Sequence, residues 1–332
     1  MLTHRERFVR VLSFEPVDRL PVIEWAGWWD KTVARWHGEG LSPSLTDAYE
    51  IRRHFGLDPV QQMWIPGIGP GTPGPTRHGG AIVTSAADYQ EVRRFLYPDG
   101  LPVAEETLRA WAEEQRRDDL VFWISVEGHF WFPRRLLGIE GHLYAFYDQP
   151  ALMHAINEDL LRFNLDVIDR VCAIIQPDFM TFAEDMSYNH GPMLSRNQFE
   201  EFIAPYYRET VPKLKRAGIR VFVDSDGDVS TLVPWLEEVG VEGMLPLERM
   251  AGVDVTQLRR DHPDLRMIGA FDKTVMHRGE ERIRQEFERL TPVMRSGGYV
   301  PSCDHQTPPE VSLDDYRLYV RLLREYAERA AQ

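Results

Sequence analysis

The sequence of 332 residues predicts an α/β fold, a (β/α)8 TIM barrel that forms a single domain over residues 1–332 with an N-terminal helical extension. Three observations support this fold. About eight short apolar runs are typical of strands, and from Phe179 onward they alternate strictly with helical segments, as a parallel sheet with helical crossovers requires. Many runs end in a charged or sulfur-containing residue, and the carboxyl ends of barrel strands share one face. An open doubly wound sheet is the alternative, but its glycine fingerprint is absent.

The N-terminal part of the chain is predicted to contain a helix and two strands. Thr3 and Glu6 form a capping box, so a helix is expected to begin there. The apolar runs 20–25 and 60–65 are predicted strands, and residues 28–56 between them are expected to be helix and loop.

A glycine- and proline-rich stretch, residues 66–80, follows the second strand. Gly67, Gly69 and Gly71 give it a superficial resemblance to a phosphate-binding loop. The prolines in the same stretch forbid the helix that must follow such a loop, so no nucleotide site is expected there. A flap near a pocket or an ordinary surface loop is predicted instead.

The rest of the chain repeats strand and helix. A long helix is predicted over about residues 150–175, and capping boxes at Ser195 and Gln198 and at Ser312 and Asp315 begin two later helices. Pro205 is expected to kink the first of these. The predicted strands are residues 120–126, 179–183, 219–223, 241–247, 266–270 and 299–302.

The composition excludes several classes of function. The 38 basic and 52 acidic residues give a net charge of −14, which argues against binding of nucleic acid or of an anionic membrane. The two cysteines, Cys172 and Cys303, provide no disulfide framework. The polar N-terminus has no signal-sequence core, and no apolar stretch is long enough to span a bilayer. The expectation is a cytoplasmic protein with a small-molecule substrate, for which a homodimer is one option of assembly.

Polar residues at the predicted strand ends are the candidates for a functional site. Any one of them could simply cap the following helix, as Asp228 is expected to do, but many acids around one mouth favour a metal, a cationic group or carboxylates with raised pKa values. The candidates are Glu24, Glu127, His129, Glu184, Asp185, Asp224, Asp226, Glu248, Asp272, Lys273, Cys303, Asp304 and His305.

Two of these strand ends predict a metal site. Asp224 and Asp226 are two residues apart and therefore point the same way in a strand, so both carboxylates can reach one cation. Cys303 could add a thiolate and His305 an imidazole, and such a mixed set suits zinc. A small buried apolar residue is the alternative role for Cys303.

Tryptophans are concentrated in the N-terminal half of the chain. Core packing is expected for most of them. Trp131 is the exception, because it follows the strand that carries Glu127 and His129, and it is predicted to line a substrate pocket.

The chain resembles the uroporphyrinogen decarboxylase superfamily over nearly its whole length. The resemblance rests on several segments taken together, which are specific for the superfamily rather than for one member. They are residues 5–8, 14–21, 184–186, 191–195, 224–228, 240–243, 251–254 and 297–308, which include Glu184-Asp185-Met186 and Asp224-Ser225-Asp226-Gly227-Asp228.

The resemblance implies a (β/α)8 barrel and one of two chemistries. One is cofactor-free decarboxylation of uroporphyrinogen, and the other is zinc-dependent methyl transfer between a corrinoid protein and a thiol. The decarboxylases carry an Arg-Gln-Ala-Gly-Arg type segment after the first strand, whereas this chain has residues 24–30 without those arginines. The methyltransferases use His-x-Cys and a second Cys, and here Asp224 and Asp226 replace the first pair while Cys303 matches the second Cys.

These departures favour a methyltransferase-like enzyme over a haem-pathway decarboxylase. In this hypothesis Asp226 and Cys303 bind a divalent metal, zinc above all, with Asp224, Glu184 or His305 completing the shell. The metal would activate a thiol-type acceptor for methyl transfer from a corrinoid, carried by a partner protein, or from a methylated small molecule. The alternatives are a metal-independent decarboxylase or related lyase for a carboxylated substrate, and a corrinoid-binding barrel without catalysis.

The remaining candidates are assigned by role. In the decarboxylase alternative an acid with a raised pKa protonates the carbanion while Lys273 or His129 holds the carboxylate. The predicted catalytic residues are Glu184, Asp185, His129 and Lys273. The predicted substrate-binding residues are Glu24, Glu127, Trp131, Tyr188 and Asp272. The predicted metal ligands are Asp224, Asp226, Cys303 and His305.

Overall fold

A computed structural model describes residues 2–117 and 120–331 of the chain. Within them, seven strands form one parallel sheet whose spatial order follows the chain, β1-β2-β3-β6-β7-β8-β9, while β4 and β5 form a small antiparallel hairpin. The strands are β1 (Val60–Ile65), β2 (Val121–Glu127), β3 (Phe179–Ala183), β4 (Ser187–Tyr188), β5 (Gly191–Pro192), β6 (Arg220–Asp224), β7 (Gly243–Leu245), β8 (Arg266–Phe271) and β9 (Tyr299–Cys303).

Helices connect and cover the strands, as a parallel sheet requires. The helices are α1 (His4–Leu12), α2 (Asp30–Gly38), α3 (Ala48–His54), α4 (Ala86–Val92), α5 (Glu105–Arg116), α6 (Trp131–Leu137), α7 (Ile139–Asp148), α8 (Pro150–Cys172), α9 (Arg196–Phe202), α10 (Ala204–Arg216), α11 (Leu232–Glu238), α12 (Val255–Asp261), α13 (Glu280–Met294) and α14 (Leu313–Ala330). All seven residues of β2 are buried, as expected for a strand covered on both faces.

The helix starts that the sequence predicts are confirmed. Capping boxes begin α1 at Thr3, α9 at Ser195 and α14 at Ser312. The helix expected to be kinked at Pro205 is instead two helices, because α9 ends at Phe202 and the proline lies in the first turn of α10. Proline is favoured there, since its missing N–H is not needed in the first turn.

The prediction of a strand at residues 20–25 is wrong, so the parallel sheet has seven strands rather than eight. The backbone of this segment bonds mainly to side chains instead of to a neighbouring ladder. The N–H of Val22 donates to Asp58 Oδ2 at 3.0 Å, and the N–H of Trp25 donates to Ser302 Oγ at 3.2 Å. Asp58 lies just before β1 and Ser302 lies in β9, so the segment contacts both edge strands of the sheet or their flanks.

One continuous cluster of buried apolar side chains extends from Phe8 in α1 to Ala330 in α14. The end residues of the predicted domain, Met1 and Gln332, lie outside the described residues. No described helix combines the length and the apolar character needed to cross a membrane.

Candidate functional site

A cavity of about 420 Å³ lies over the carboxyl ends of the parallel strands. Trp64 lies near the end of β1, Ala183 ends β3 and Asp224 ends β6. In a parallel sheet these ends share one edge, which is where side chains from several strands can converge. The cavity is lined by Trp25, Trp64, Trp131, Arg135, Ala183, Asp185, Asp224, Asp226 and His305.

Three aspartates form the acidic wall of this cavity. The N–H of Asp226 donates to Asp185 Oδ1 at 3.3 Å, which holds the two loops together. No described donor makes a hydrogen bond to the carboxylate of Asp224 or of Asp226. Burial raises the pKa of Asp226 to about 7, and it raises the pKa values of Asp224 and Asp185 as well. Repulsion by the neighbouring aspartates raises the pKa values of Asp224 and Asp226 further.

The loops after β3 and β6 fix the positions of these aspartates. Asp185 has a φ of 43°, in the left-handed region that non-glycine residues rarely adopt. Gly227 has a φ of +85°, and a Cβ there would lie 2.7 Å from the backbone nitrogen of Tyr188. Only glycine lets the two loops approach this closely, so the backbone itself brings Asp185 next to Asp226.

His305 completes the acidic side of the cavity. Its Nε2 lies 3.7 Å from Asp226 Oδ2. Burial, followed by the nearby ammonium of Lys273, lowers the pKa of His305. Lys273 is itself held between Glu248 and Asp304, at 3.6 and 3.5 Å. The imidazole is therefore favoured in its neutral form. It lies next to Asp226, whose raised pKa favours the protonated carboxyl.

Arg135 is the cation in the cavity wall, and it is already paired. Its Nη1 forms an ion pair with Oε1 of Glu127, whose side chain is fully buried. Oε2 of Glu127 has no hydrogen-bond partner among the described residues. Burial raises the pKa of Glu127. The Arg135 guanidinium thus neutralises the buried carboxylate of Glu127 rather than the three aspartates that line the cavity.

Glu184 lies behind the cavity, where it caps α6. Its carboxylate accepts the backbone N–H groups of His129, Phe130 and Trp131 at 2.9, 2.7 and 3.2 Å, and the hydroxyl of Tyr207 at 2.6 Å. Burial nevertheless raises its pKa to about 7. This predicted catalytic residue is therefore fully engaged in holding the start of α6 against β3.

Glu24 is a second buried and hydrogen-bonded carboxylate. Oε1 accepts the hydroxyl of Ser302 at 2.5 Å and the N–H of Cys303 at 3.0 Å. Burial raises the pKa of Glu24 to about 7. Arg52 donates to the backbone oxygen of Glu24 at 2.9 Å. Glu24 does not line the cavity, so this predicted substrate-binding residue joins the segment 20–25 to β9.

The predicted metal ligands are brought together only in part. Asp224, Asp226 and His305 line the cavity, whereas Cys303 is fully buried and absent from its wall. Burial raises the pKa of the Cys303 thiol well above its usual value, and Glu24 and Asp304 raise it further. Residues 2–117 and 120–331 contain no group of three His, Cys, Asp or Glu side chains arranged to hold a metal ion. The residues present therefore do not fit a thiolate-bound zinc ion.

The other predicted site residues lie outside the cavity wall, except Trp131, which lines it. The ring nitrogens of His129 are buried without a partner among the described residues, and its ring stacks on Tyr206 at 4.7 Å. Asp272 caps a short 3-10 turn by accepting the N–H of Thr274. Tyr188 lies in the β4–β5 hairpin and is 51% exposed.

Three residues of the cavity wall were not predicted from the sequence as site residues, Trp25, Trp64 and Arg135. Trp25 follows Glu24 directly, and Trp64 is the penultimate residue of β1, so both stand at the ends of predicted strands. Arg135 lies four residues after Trp131, one turn along α6, and this spacing was the available signal for it.

Comparisons with known proteins bear on the family and the fold. The sequence model of the family described as Uroporphyrinogen decarboxylase (URO-D) matches residues 85–326. A methyltransferase from Methanosarcina mazei superposes with a TM-score of 0.66 at 15% identity, covering 98% of this chain and 99% of that chain. A candidate vitamin-B12-independent methionine synthase from Listeria monocytogenes gives a TM-score of 0.48 at 11% identity, covering 95% and 97%. A comparison with curated proteins finds no match.

Proposed function

The chain belongs to the uroporphyrinogen decarboxylase family, and from this premise we propose that it is a methyl-transfer enzyme whose cavity aspartates act as general acid and base. The observation that carries the proposal is the charge of the cavity. Asp185, Asp224 and Asp226 line it, and its guanidinium, Arg135, is already paired with Glu127. A substrate with many carboxylates, such as uroporphyrinogen, would meet electrostatic repulsion there.

In the proposed transfer the leaving heteroatom takes up a proton, and Asp224 is the proposed donor. Burial and the two neighbouring aspartates raise its pKa, which favours the protonated form. A nucleophilic acceptor attacks the methyl carbon, the bond from that carbon to the leaving heteroatom breaks, and the heteroatom keeps the electron pair and takes the proton of Asp224. Protonation of this kind contributes about 10² to 10⁴ in rate.

Asp226 is the proposed base for a protonated acceptor such as a thiol. Its pKa of about 7 lets it exchange protons near neutrality. The thiol proton passes to Asp226, and the neutral imidazole of His305, 3.7 Å away, can carry it toward solvent. The methyl donor predicted from the sequence, a corrinoid carried by a partner protein, is compatible with this proposal. No step of the proposal uses a metal ion, because Cys303 is absent from the cavity wall and the predicted thiolate-bound zinc site is not formed.

We also propose that residues 20–25 act as the eighth segment of a (β/α)8 barrel. The support is that the segment bonds to Asp58 next to β1 and to Ser302 in β9, the two ends of the seven-stranded order. Barrel closure would place Trp25, which lines the cavity, opposite the strands that carry the aspartates.

The test measures methyl transfer from O-, S- and N-methyl compounds to reduced cobalamin, followed by its absorption change, and to a thiol. We expect Asp224→Asn to lower kcat by about 10²-fold or more, because the amide cannot supply the proton. Asp228→Asn is the matched control. Asp228 is an aspartate of the same loop that accepts the N–H of Ser230 and does not line the cavity, so this variant should keep full activity.

Two further measurements separate the proposal from a metal mechanism. Chelator treatment and Cys303→Ala should leave turnover unchanged, since the buried thiol lies away from the cavity wall. Full turnover by Asp224→Asn, or loss of turnover on metal removal, would contradict the proposal. Tight corrinoid binding without turnover of any donor would favour the non-catalytic alternative.

Decarboxylation of a substrate with a single carboxylate is the second candidate. The observation that favours it is Arg135, whose guanidinium in the wall can face a substrate carboxylate while a protonated aspartate supplies the carbanion with a proton. Release of carbon dioxide that is lost in Arg135→Met would support this candidate over methyl transfer.

A further inference from the structure

Three tryptophans line the same cavity as the three aspartates. Trp25, Trp64 and Trp131 belong to three separate parts of the chain, the segment before α2, strand β1 and the start of α6. Trp25 is held in place because its indole N–H donates to the backbone oxygen of Cys303 at 2.6 Å. Trp64 is 38% exposed, a large apolar surface to leave open to solvent. A tryptophan face attracts cations, and a set of such faces is suited to methylated ammonium groups.

The acidic groups around the cavity outnumber the cations. Burial raises the pKa of Asp185, Arg134 offsets part of this rise, and the Arg134 guanidinium lies over the Trp131 ring, 5.3 Å from the ring centroid. Arg135 is paired with Glu127. The ammonium of Lys273 lies between Glu248 and Asp304 and also holds the raised pKa of Asp226 lower than burial alone would, so it offsets only part of the acidic charge. His305 is favoured as a neutral ring. The groups that face Asp226 are Asp185, Glu248, Lys273, Asp304 and His305.

The aspartates also lack partners of their own. The carboxylates of Asp224 and Asp226 accept no hydrogen bond from any described residue, although each lies at least partly buried from solvent. Unpaired carboxylates in such a place are costly unless a ligand brings positive charge to them. An apolar wall of tryptophans on the same cavity favours a cation whose surface is made of methyl groups over one that is strongly hydrated.

We propose that the methyl donor is a small organic cation with N-methyl groups, bound with its cationic head between the tryptophans and Asp185, Asp224 and Asp226. This inference rests on the proposed methyl transfer and names the class of its substrate. Transfer of one methyl group to the acceptor leaves the electron pair on nitrogen, and the neutral amine that results can take the proton of Asp224. The product is then a protonated amine that carries one methyl group fewer and an N–H in its place.

The remainder of the donor has room beside the head group. A second cavity of about 340 Å³ shares Trp131 and Arg135 with the first. It is lined largely by Ile68, Ile82 and Ile139 and by glycines of residues 79–80 and 138. A substituent on the nitrogen can therefore extend past Trp131 into a mainly apolar space.

The test compares two probes of nearly equal shape, choline and its neutral carbon analogue 3,3-dimethylbutan-1-ol, by calorimetry and tryptophan fluorescence at constant ionic strength. We expect choline to bind about tenfold tighter or more, because its charge meets both the carboxylates and the indole faces. Asp226→Asn and Trp131→Leu should each remove most of this preference and leave the weak binding of the alcohol unchanged. Asp228→Asn should keep it in full.

The outcomes distinguish this inference from the function on which it rests. Equal affinity for the two probes, or tighter binding of ethanolamine than of choline, overturns the inference, since charge or methyl groups would then not be recognised. Turnover of a neutral methyl ether by a protein that does not bind choline also overturns the inference, but it supports the proposed methyl transfer. Selective choline binding retained by a protein that transfers no methyl group supports the cation site and overturns the proposed function.

Discussion

Two sets of acidic side chains stand at the same edge of the sheet and differ in their hydrogen bonds. Glu184 accepts four hydrogen bonds, from three backbone N–H groups and the hydroxyl of Tyr207, and Glu24 accepts bonds from Ser302 and Cys303. Asp224 and Asp226 line an open cavity, and their carboxylates accept none from the described residues.

The difference teaches how a structural carboxylate is told from a reactive one in this fold. An acidic side chain at the carboxyl edge of the sheet and a pKa raised by burial are common to both sets, so neither property separates the two. The two sets differ in the number of hydrogen-bond donors that the chain offers to each carboxylate. A carboxylate that accepts several hydrogen bonds from the chain stabilises the fold. A carboxylate that faces a cavity and accepts none is available to a ligand.

The largest expected effect is on stability and comes from Glu184→Ala. This change leaves three buried N–H groups at the start of α6 and the Tyr207 hydroxyl without an acceptor. We expect the free energy of unfolding to fall by about 3 kcal/mol or more, because each unfilled buried donor costs about 1–3 kcal/mol. Urea unfolding measures it.

Glu184→Gln is the control for this comparison, since its amide oxygen can still accept while its charge is lost. It should cost less than the alanine variant. If Glu184→Ala unfolds at the same urea concentration as the unchanged protein, the carboxylate does not cap α6 and the distinction between the two sets fails.

The second effect is on the pH dependence of stability, through Glu24. Its pKa of about 7 lies above its ordinary value, so between about pH 4.5 and pH 7 the folded state keeps a proton that the unfolded state releases. Stability therefore falls as the pH rises through this window and is level above it. The shift corresponds to a loss on the order of 3 kcal/mol, from about 1.4 kcal/mol for each pH unit.

Unfolding measured from about pH 5 to pH 8 tests this for the unchanged protein and for Glu24→Gln. The substituted side chain keeps an amide oxygen for the Cys303 N–H but does not titrate, so the stability of this variant should vary less with pH. Glu184 adds a similar slope, which Glu184→Gln would remove separately. An identical pH profile for Glu24→Gln and the unchanged protein would show that Glu24 is ionised in the fold.

Much of the fold was predictable from local patterns in the sequence. Seven apolar runs became strands, including β2 and β9, which are buried at every residue, and three capping boxes marked helix starts. The segment 20–25 misled the prediction because its apolar pattern matches a strand. Its hydrogen bonds go to Asp58 and Ser302, and contacts over such sequence distances leave no local signal.

The candidate site was predictable as a set of strand ends but not as a set of roles. Asp185, Asp224, Asp226 and His305 were found because parallel strands bring their ends together. The cap formed by Glu184 was not visible, since its three backbone donors lie more than fifty residues earlier in the chain. The side of the sheet that Cys303 faces was equally hidden, because it follows from the packing around β9.

The smallest expected effect is a gain in stability from Asp224→Asn, and it sharpens the comparison because its sign is opposite to that of Glu184→Ala. Asp224 lies close to Asp185 and Asp226, and burial together with repulsion raises its pKa. The neutral amide removes this repulsion, so at about pH 8 we expect the variant to be more stable by about 0.5 kcal/mol. As the pH falls the aspartate takes up a proton and the difference should shrink, which urea unfolding at about pH 8 and about pH 5 measures. A loss of stability at pH 8 would mean that the Asp224 carboxylate accepts a stabilising hydrogen bond, as Glu184 does. The absence of hydrogen-bond donors would then not distinguish a reactive carboxylate from a structural one.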